Sequence, residues 1–255
     1  MKKSIKAIIA AASATVVCAA PTAAAFAGIT SASVPGITAS AADNKADVVI
    51  ANGHEIAILN NIVYEFKESN KTAAIAGIWN YRNIVSTPAT VIIKNQEYKV
   101  TSVRDRAFKN QSVIKYVDLT DATYLTEIGT EAFAGTISAS IKLNSTLKKI
   151  GNDAFYDTNA SELTIPGSVT EIGDRAFKKC DYLKRVFFQS AVSGGLDVNT
   201  PLKINSEAFA NNTKLTHIDA YRKVYEMQSG AFRETNNITW YEGAGRSSFS
   251  SQYQK

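Results

Sequence analysis

The chain has 255 residues, 45% hydrophobic and 20% charged, with a formal net charge of +5. This is the composition of a chain that packs a core, which excludes an extensively disordered protein. The excess charge sits in Lys2, Lys3 and Lys6; without them 25 basic residues face 23 acidic ones, or +2, which is not the basic face of a nucleic-acid binder.

Lys2 to Lys6 followed by the apolar run Ala7 to Ala20 has the form of a secretory signal peptide. Two small-x-small cleavage sites compete, Ala25-Phe26-Ala27 and Ala39-Ser40-Ala41. The second is preferred, because the Ser/Thr/Ala/Gly/Pro stretch between them has no pattern that packs. The run is too rich in Ala, Ser and Thr for a spanning helix, which needs about 20 strongly apolar residues. Residues 1–41 are therefore expected to direct export, leaving a secreted or cell-surface protein with no membrane segment. Only Cys180 remains after cleavage, so no intramolecular disulfide is expected.

Residues 42–100 read as a mostly β cap. Ile62, Tyr64 and Phe66 alternate with Val63, Glu65 and Lys67, and a polar turn from Glu68 to Thr72 leads to Ala74–Ile78. That is a hairpin signal, and Val91–Ile93 with Tyr98–Val100 gives a second.

From Thr101 the chain repeats itself. Ile128-Gly-Thr-Glu-Ala-Phe133, Ile150-Gly-Asn-Asp-Ala-Phe155 and Ile172-Gly-Asp-Arg-Ala-Phe177 are near copies, with looser versions ending at Phe108, Phe209 and Phe232. The Phe residues are spaced 25, 22, 22, 32 and 23 apart, a period that marks a solenoid. After each Ala-Phe comes an apolar-x-x-apolar-x-apolar pattern, as in Ile114, Val117, Leu119 and in Leu183, Val186, Phe188. Its last two apolar positions share one face of a strand. Ile128, Ala132 and Phe133 are spaced as on one face of a helical turn. Each coil is expected to be a short parallel strand, a turn and a helical or irregular return. The long spacing comes from an insertion, Gln189–Pro201. The tail 243–255 is polar.

Ile-Gly-x-x-Ala-Phe, with Cys180-x-x-Leu183 and Ile165-Pro166-x-Ser168-Val169-Thr170, closely resembles the BspA-type leucine-rich repeat of bacterial surface and secreted proteins. The resemblance covers about Val91 to Tyr241. It implies a curved α/β solenoid of about six coils over residues 101–242. By analogy it also implies adhesion to proteins, cells or polysaccharide.

Catalytic chemistry is not visible. A Cys180–His217 dyad can be drawn, but Cys180 occupies the structural Cys slot of the resembled repeat. No Cys or His pair has zinc spacing, and no phosphate-binding Gly loop or Gly-x-Ser-x-Gly motif occurs. No catalytic residue, metal ligand or cofactor is expected. The outward strand positions remain, and they form two columns. One runs Tyr116, Ser140, Glu162, Arg185, His217, Trp240; the other runs Asp118, Lys142, Thr164, Phe187, Asp219. Tyr116, Arg185, Phe187, His217 and Trp240 are the candidate binding residues, since exposed aromatics and Arg dominate binding energies. The expected function is non-enzymatic recognition of a protein or polysaccharide, weak unless multivalent. A hydrolase sited near His54 and Glu55, or a structural envelope protein, are the alternatives.

Overall fold

Seven strands at the N-terminus start two sheets that the repeats then extend. The computed structural model describes residues 44–51, 54–80, 82–191, 200–224, 226–235, 238–242 and 245–247. The expected signal peptide and most of the polar tail lie outside them. β1 (Asp47–Ala51), β2 (His54–Leu59), β3 (Ile62–Lys67) and β4 (Thr72–Ile78) form an antiparallel meander. The connection between β2 and β3 is Asn60-Asn61, both in the left-handed region at φ 51° and 61°, which Asn tolerates better than most residues. β5 (Ile84–Ser86) follows, then β6 (Thr90–Ile93) and β7 (Gln96–Val103), which pair antiparallel as the second expected hairpin.

Each repeat then adds one strand to each sheet: β8 (Tyr116–Asp118) and β9 (Glu127–Ile128), β10 (Ser140–Lys142) and β11 (Lys149–Ile150), β12 (Glu162–Ile165) and β13 (Glu171–Ile172), β14 (Arg185–Phe188) and β15 (Lys203–Ile204), β16 (His217–Ala220) and β17 (Glu226–Met227). β18 (Thr239–Glu242) and β19 (Gly245–Ser247) close the chain as an antiparallel pair. One sheet runs β1-β2-β3-β4-β7-β9-β11-β13-β15-β17 and is parallel from β4 onward. The strand face has two hydrogen-bonded parts, β10-β8-β5 and β12-β14-β16-β18-β19. The N-terminal segment therefore supplies a rung to both sheets, and its core is continuous with that of the repeats.

The core is a file of aromatic rings. Phe108, Phe133, Phe155, Phe177, Phe209 and Phe232 stack face to face with centroids 4.9 to 5.2 Å apart. Such a stack gains a ring–ring contribution of about 0.5–1.5 kcal/mol per pair beyond the buried area. The glycine of each Ile-Gly pair has a steric reason. A Cβ on Gly151 would lie 2.7 Å from the Gly129 carbonyl carbon, and one on Gly173 2.7 Å from that of Gly151.

The return is not helical, and the α/β expectation is corrected to a β-solenoid: no helix occurs among the described residues. The reason lies in where the backbone N–H groups point. Two and four residues apart around each Phe, they donate sideways to the next coil. Glu131 N–H reaches Asn152 O at 2.8 Å, Phe133 N–H reaches Ala154 O at 2.7 Å and Gly135 N–H reaches Tyr156 O at 2.8 Å. The position two before each Phe is left-handed, as at Arg106, Glu131, Asp153, Arg175 and Glu207. So is the position two after it, as at Asn110, Asp157, Lys179, Asn211 and Glu234. A left-handed residue every fourth position interrupts the i to i−4 pattern a helix requires. The lateral bonds offset its cost, which is of order 1–3 kcal/mol each.

Candidate functional site

On the strand face the outward side chains stack in register. Ile84, Tyr116 and Ser140 are paired across β5, β8 and β10, and Glu162, Arg185, His217 and Thr239 across β12, β14, β16 and β18. The neighbouring column holds Ser86, Asp118 and Lys142, then Thr164, Phe187, Asp219 and Tyr241. Trp240 is not in the outward column. It pairs with Ile218 on the inward side and is only 7% exposed. Its ring packs 6.0 Å from Phe188 and 6.2 Å from Phe232, closing the C-terminal end of the core. The last coil has a short loop, so Thr239 follows Phe232 by seven residues, as Ser140 follows Phe133 and Glu162 follows Phe155. Counting eight, as from Phe209 to His217, misplaces Trp240 by one position and hides Tyr241.

Arg185, Phe187 and His217 lie on adjacent rungs. The Arg185 guanidinium sits 5.2 Å from the Phe187 ring centroid, and its Nε is 3.1 Å from Asp219 Oδ2. This contact with Asp219 orients the arginine over the ring instead of leaving it loose in solvent. His217 Nδ1 lies 2.8 Å from Thr216 Oγ1. Tyr116 is 45% exposed, next to Ile84, and stands apart from this group on the other part of the face. Asp219, Tyr241 and Ile84 belong to the surface beside the four candidates that stay outward.

The insertion meets the edge of this face. Gln189 N–H donates to Ile165 O at 2.9 Å, and a Cβ on Gly167 would lie 2.3 Å from Ala191 N. Residues 192–199 of the insertion lie outside the described residues. Its second stem is held by Arg222, which is fully buried. The guanidinium donates to Gly167 O at 2.9 Å, Val169 O at 2.7 Å, Thr200 O at 3.2 Å and Pro201 O at 3.0 Å. Nothing in the sequence pattern marks Arg222, since its role depends on carbonyls from two separate segments.

The residues with reactive side chains are not brought together. Cys180 is buried, its sulfur 3.3 Å from both Thr158 Oγ1 and the Phe155 carbonyl oxygen. Burial pushes its thiol up to about 11, so it is a protonated, inert thiol at neutral pH. Its slot, three residues after Phe, holds Gln111, Thr136, Thr158 and Asn212, all buried, and the half-buried Thr235 in the last coil. Thr136 Oγ1 donates to Phe133 O at 2.9 Å and Asn212 Nδ2 to Phe177 O at 2.9 Å, so the slot satisfies the carbonyl of a Phe. Near the N-terminus, Glu55 is exposed and paired with Lys94 at 2.6 Å. Among the described residues no group of three or more His, Cys, Asp or Glu is arranged so that it could hold a metal ion.

The BspA type leucine rich repeat region matches in six copies over residues 101–239. The chain belongs to the BspA-type leucine-rich repeat family. No curated protein matches it significantly. Among solved structures it is similar to the pneumococcal vaccine antigen PcpA, at 22% identity and TM-score 0.56 over 74% of this chain and 50% of that one. It is also similar to a leucine-rich repeat protein of T. pallidum, at 19% identity and TM-score 0.50 over 71% of this chain and 89% of that one. A leucine-rich repeat protein of Bacteroides ovatus aligns at 21% identity and TM-score 0.44, covering 72% of this chain and 60% of that one. The BspA-type chain spans less than two thirds of the length of two of these relatives, and the likenesses to the pneumococcal and T. pallidum structures show its fold.

Proposed function

We propose that this BspA-type protein is a secreted, non-enzymatic recognition module that holds a protein or polysaccharide on its strand face. The observation that carries the reading is the Arg185–Phe187–His217 group. It places a half-buried aromatic, an oriented guanidinium and an imidazole on adjacent rungs of the parallel sheet. Such side chains dominate binding energies when a partner covers them. Proteins of this family are typically at the bacterial surface or secreted, and leucine-rich repeats generally bind proteins. The n- and h-region pattern of residues 1–41 agrees with export, and no helix among the described residues is long and apolar enough to cross a membrane.

Size sets the affinity. Eight strands about 4.8 Å apart give a face roughly 34 Å long. With strands of three or four residues, that is short of the ~800 Å² per partner of a stable complex. A single copy binds weakly, and useful retention comes from several copies displayed together. The test is capture of surface proteins and polysaccharides by residues 42–255, presented once as a monomer and once as a fused dimer. The dimer should retain a partner that the monomer releases on washing; a partner held equally by both would contradict the size argument.

A further inference from the structure

The turn face, away from the strands, carries a depression of about 400 Å³, within the ~300–1,000 Å³ of small-ligand sites. It lies where one coil lacks bulk at two successive positions. The position after each Phe is Lys109, Tyr156, Lys178 and Arg233 in four coils and Ala134 and Ala210 in the other two; Ala134 is followed by a glycine, Gly135, whereas Ala210 is followed by Asn211. The missing bulk leaves a hollow with Ala134 and Gly135 as its floor and Lys109 and Tyr156 on its flanks. The Asn110 amide lies against Gly135, where a Cβ would come within 2.6 Å of its Oδ1.

The polar lining is held in place before any ligand arrives. Glu131 accepts from both Arg106 and Lys109, and this pairing with Lys109 holds its carboxyl below the usual range. Asp153 takes a two-point contact from Arg175, at 2.9 and 2.7 Å. Lys178 donates to Glu207 at 2.6 Å. Three cations line the hollow (Lys109, Arg175, Lys178), matched by three carboxylates (Glu131, Asp153, Asp157), so it has no net charge. An anion would meet the carboxylates and a cation the basic groups. A ring of hydroxyls suits both, because each hydroxyl donates and accepts at once. Tyr156 adds an aromatic surface for the apolar side of such a ring, and Lys179, which does not line the hollow, rests 5.7 Å from its centroid.

We propose that the depression between Lys109 and Tyr156 binds one or two neutral sugar units of a glycan, independently of the strand face. The hollow spans three coil steps of 4.9 to 5.2 Å, room for no more than a short saccharide. The test is a glycan array carrying neutral mannose-, galactose- and N-acetylglucosamine-terminated glycans beside sialylated and sulfated ones, probed with residues 42–255 in multivalent form. Neutral glycans should be retained. Tyr156→Ala should weaken retention about tenfold or more. Ala134→Met, which fills the hollow with a side chain the length of the Lys stems in neighbouring coils, should do the same. Tyr182→Ala, at an exposed ring outside both the hollow and the strands, should leave it unchanged. If Ala134→Met melts early, Tyr156→Ala and Asp157→Asn decide. Retention of charged glycans only, no retention, or loss with Phe187→Ala but not with Tyr156→Ala would overturn the assignment. The last of these would return glycan binding to the strand face.

Discussion

Phe155→Ala should destabilise the protein by about 3–5 kcal/mol in a denaturant titration, with no loss of the repeat architecture at low denaturant. The ring is fully buried between Phe133 and Phe177, at 5.0 and 5.2 Å and within 4° of parallel to both. Removing it deletes two stacking contacts and leaves a void that the lateral hydrogen bonds prevent from collapsing. Phe155 N–H remains tied to Ala176 O at 2.8 Å, and Phe133 N–H to Ala154 O at 2.7 Å, so the coils cannot close in. Tyr182→Ala, at a ring that is 52% exposed, should change stability by less than about 0.5 kcal/mol. Equal losses from the two substitutions would mean that the Phe file is not the core.

Arg222→Ala should be comparably severe, about 3–5 kcal/mol, because several carbonyls lose their hydrogen-bond donor at once. Four carbonyls, from Gly167, Val169, Thr200 and Pro201, converge on one buried guanidinium. Without it they lose their donor, and each buried polar group left unsatisfied costs about 1–3 kcal/mol. Arg222→Lys should recover only part of the loss, because one ammonium cannot reproduce the planar fork that reaches two segments at once. Limited proteolysis should show cleavage of the variant within the Gln189–Pro201 insertion before the repeats are cut. A variant as stable and as resistant as the parent would remove Arg222 from its structural role.

Much of this architecture is legible in the chain because the repeat writes each contact six times. The Ala-Phe register gives the ring stack, and apolar positions two apart give the inward faces of β8, β14 and β16. Of the helical or irregular return, the helical alternative fails for a physical reason. Ile128, Ala132 and Phe133 have the same spacing on one side of a helical turn and of a polygonal coil. What decides between them is whether N–H groups bond within the coil or to the next one, and that is a tertiary property. Trp240 fails because the last coil is one residue shorter, and an inward Trp at the end of a stack covers what no further coil will cover. A further hairpin signal near the N-terminus is Asn60-Asn61, which joins β2 to β3. The rung formed by β5 has no such mark, since Ile84–Ser86 is too short to show a period. On the candidate surface, Tyr116, Arg185, Phe187 and His217 follow from alternation alone, whereas the Arg185–Asp219 contact that orients the group needs two coils in register.

The most direct test of recognition through the strand face is the affinity of a captured partner for the parent chain and for Arg185→Ala and Phe187→Ala, with melting temperatures measured alongside. Each substitution should cost about 2 kcal/mol or more, roughly thirtyfold in affinity, while the melting temperature stays within the parent's range. Tyr182→Ala, at an exposed ring outside the strands and the hollow, should leave the affinity unchanged. A partner whose affinity is untouched by both strand-face substitutions would contradict the account.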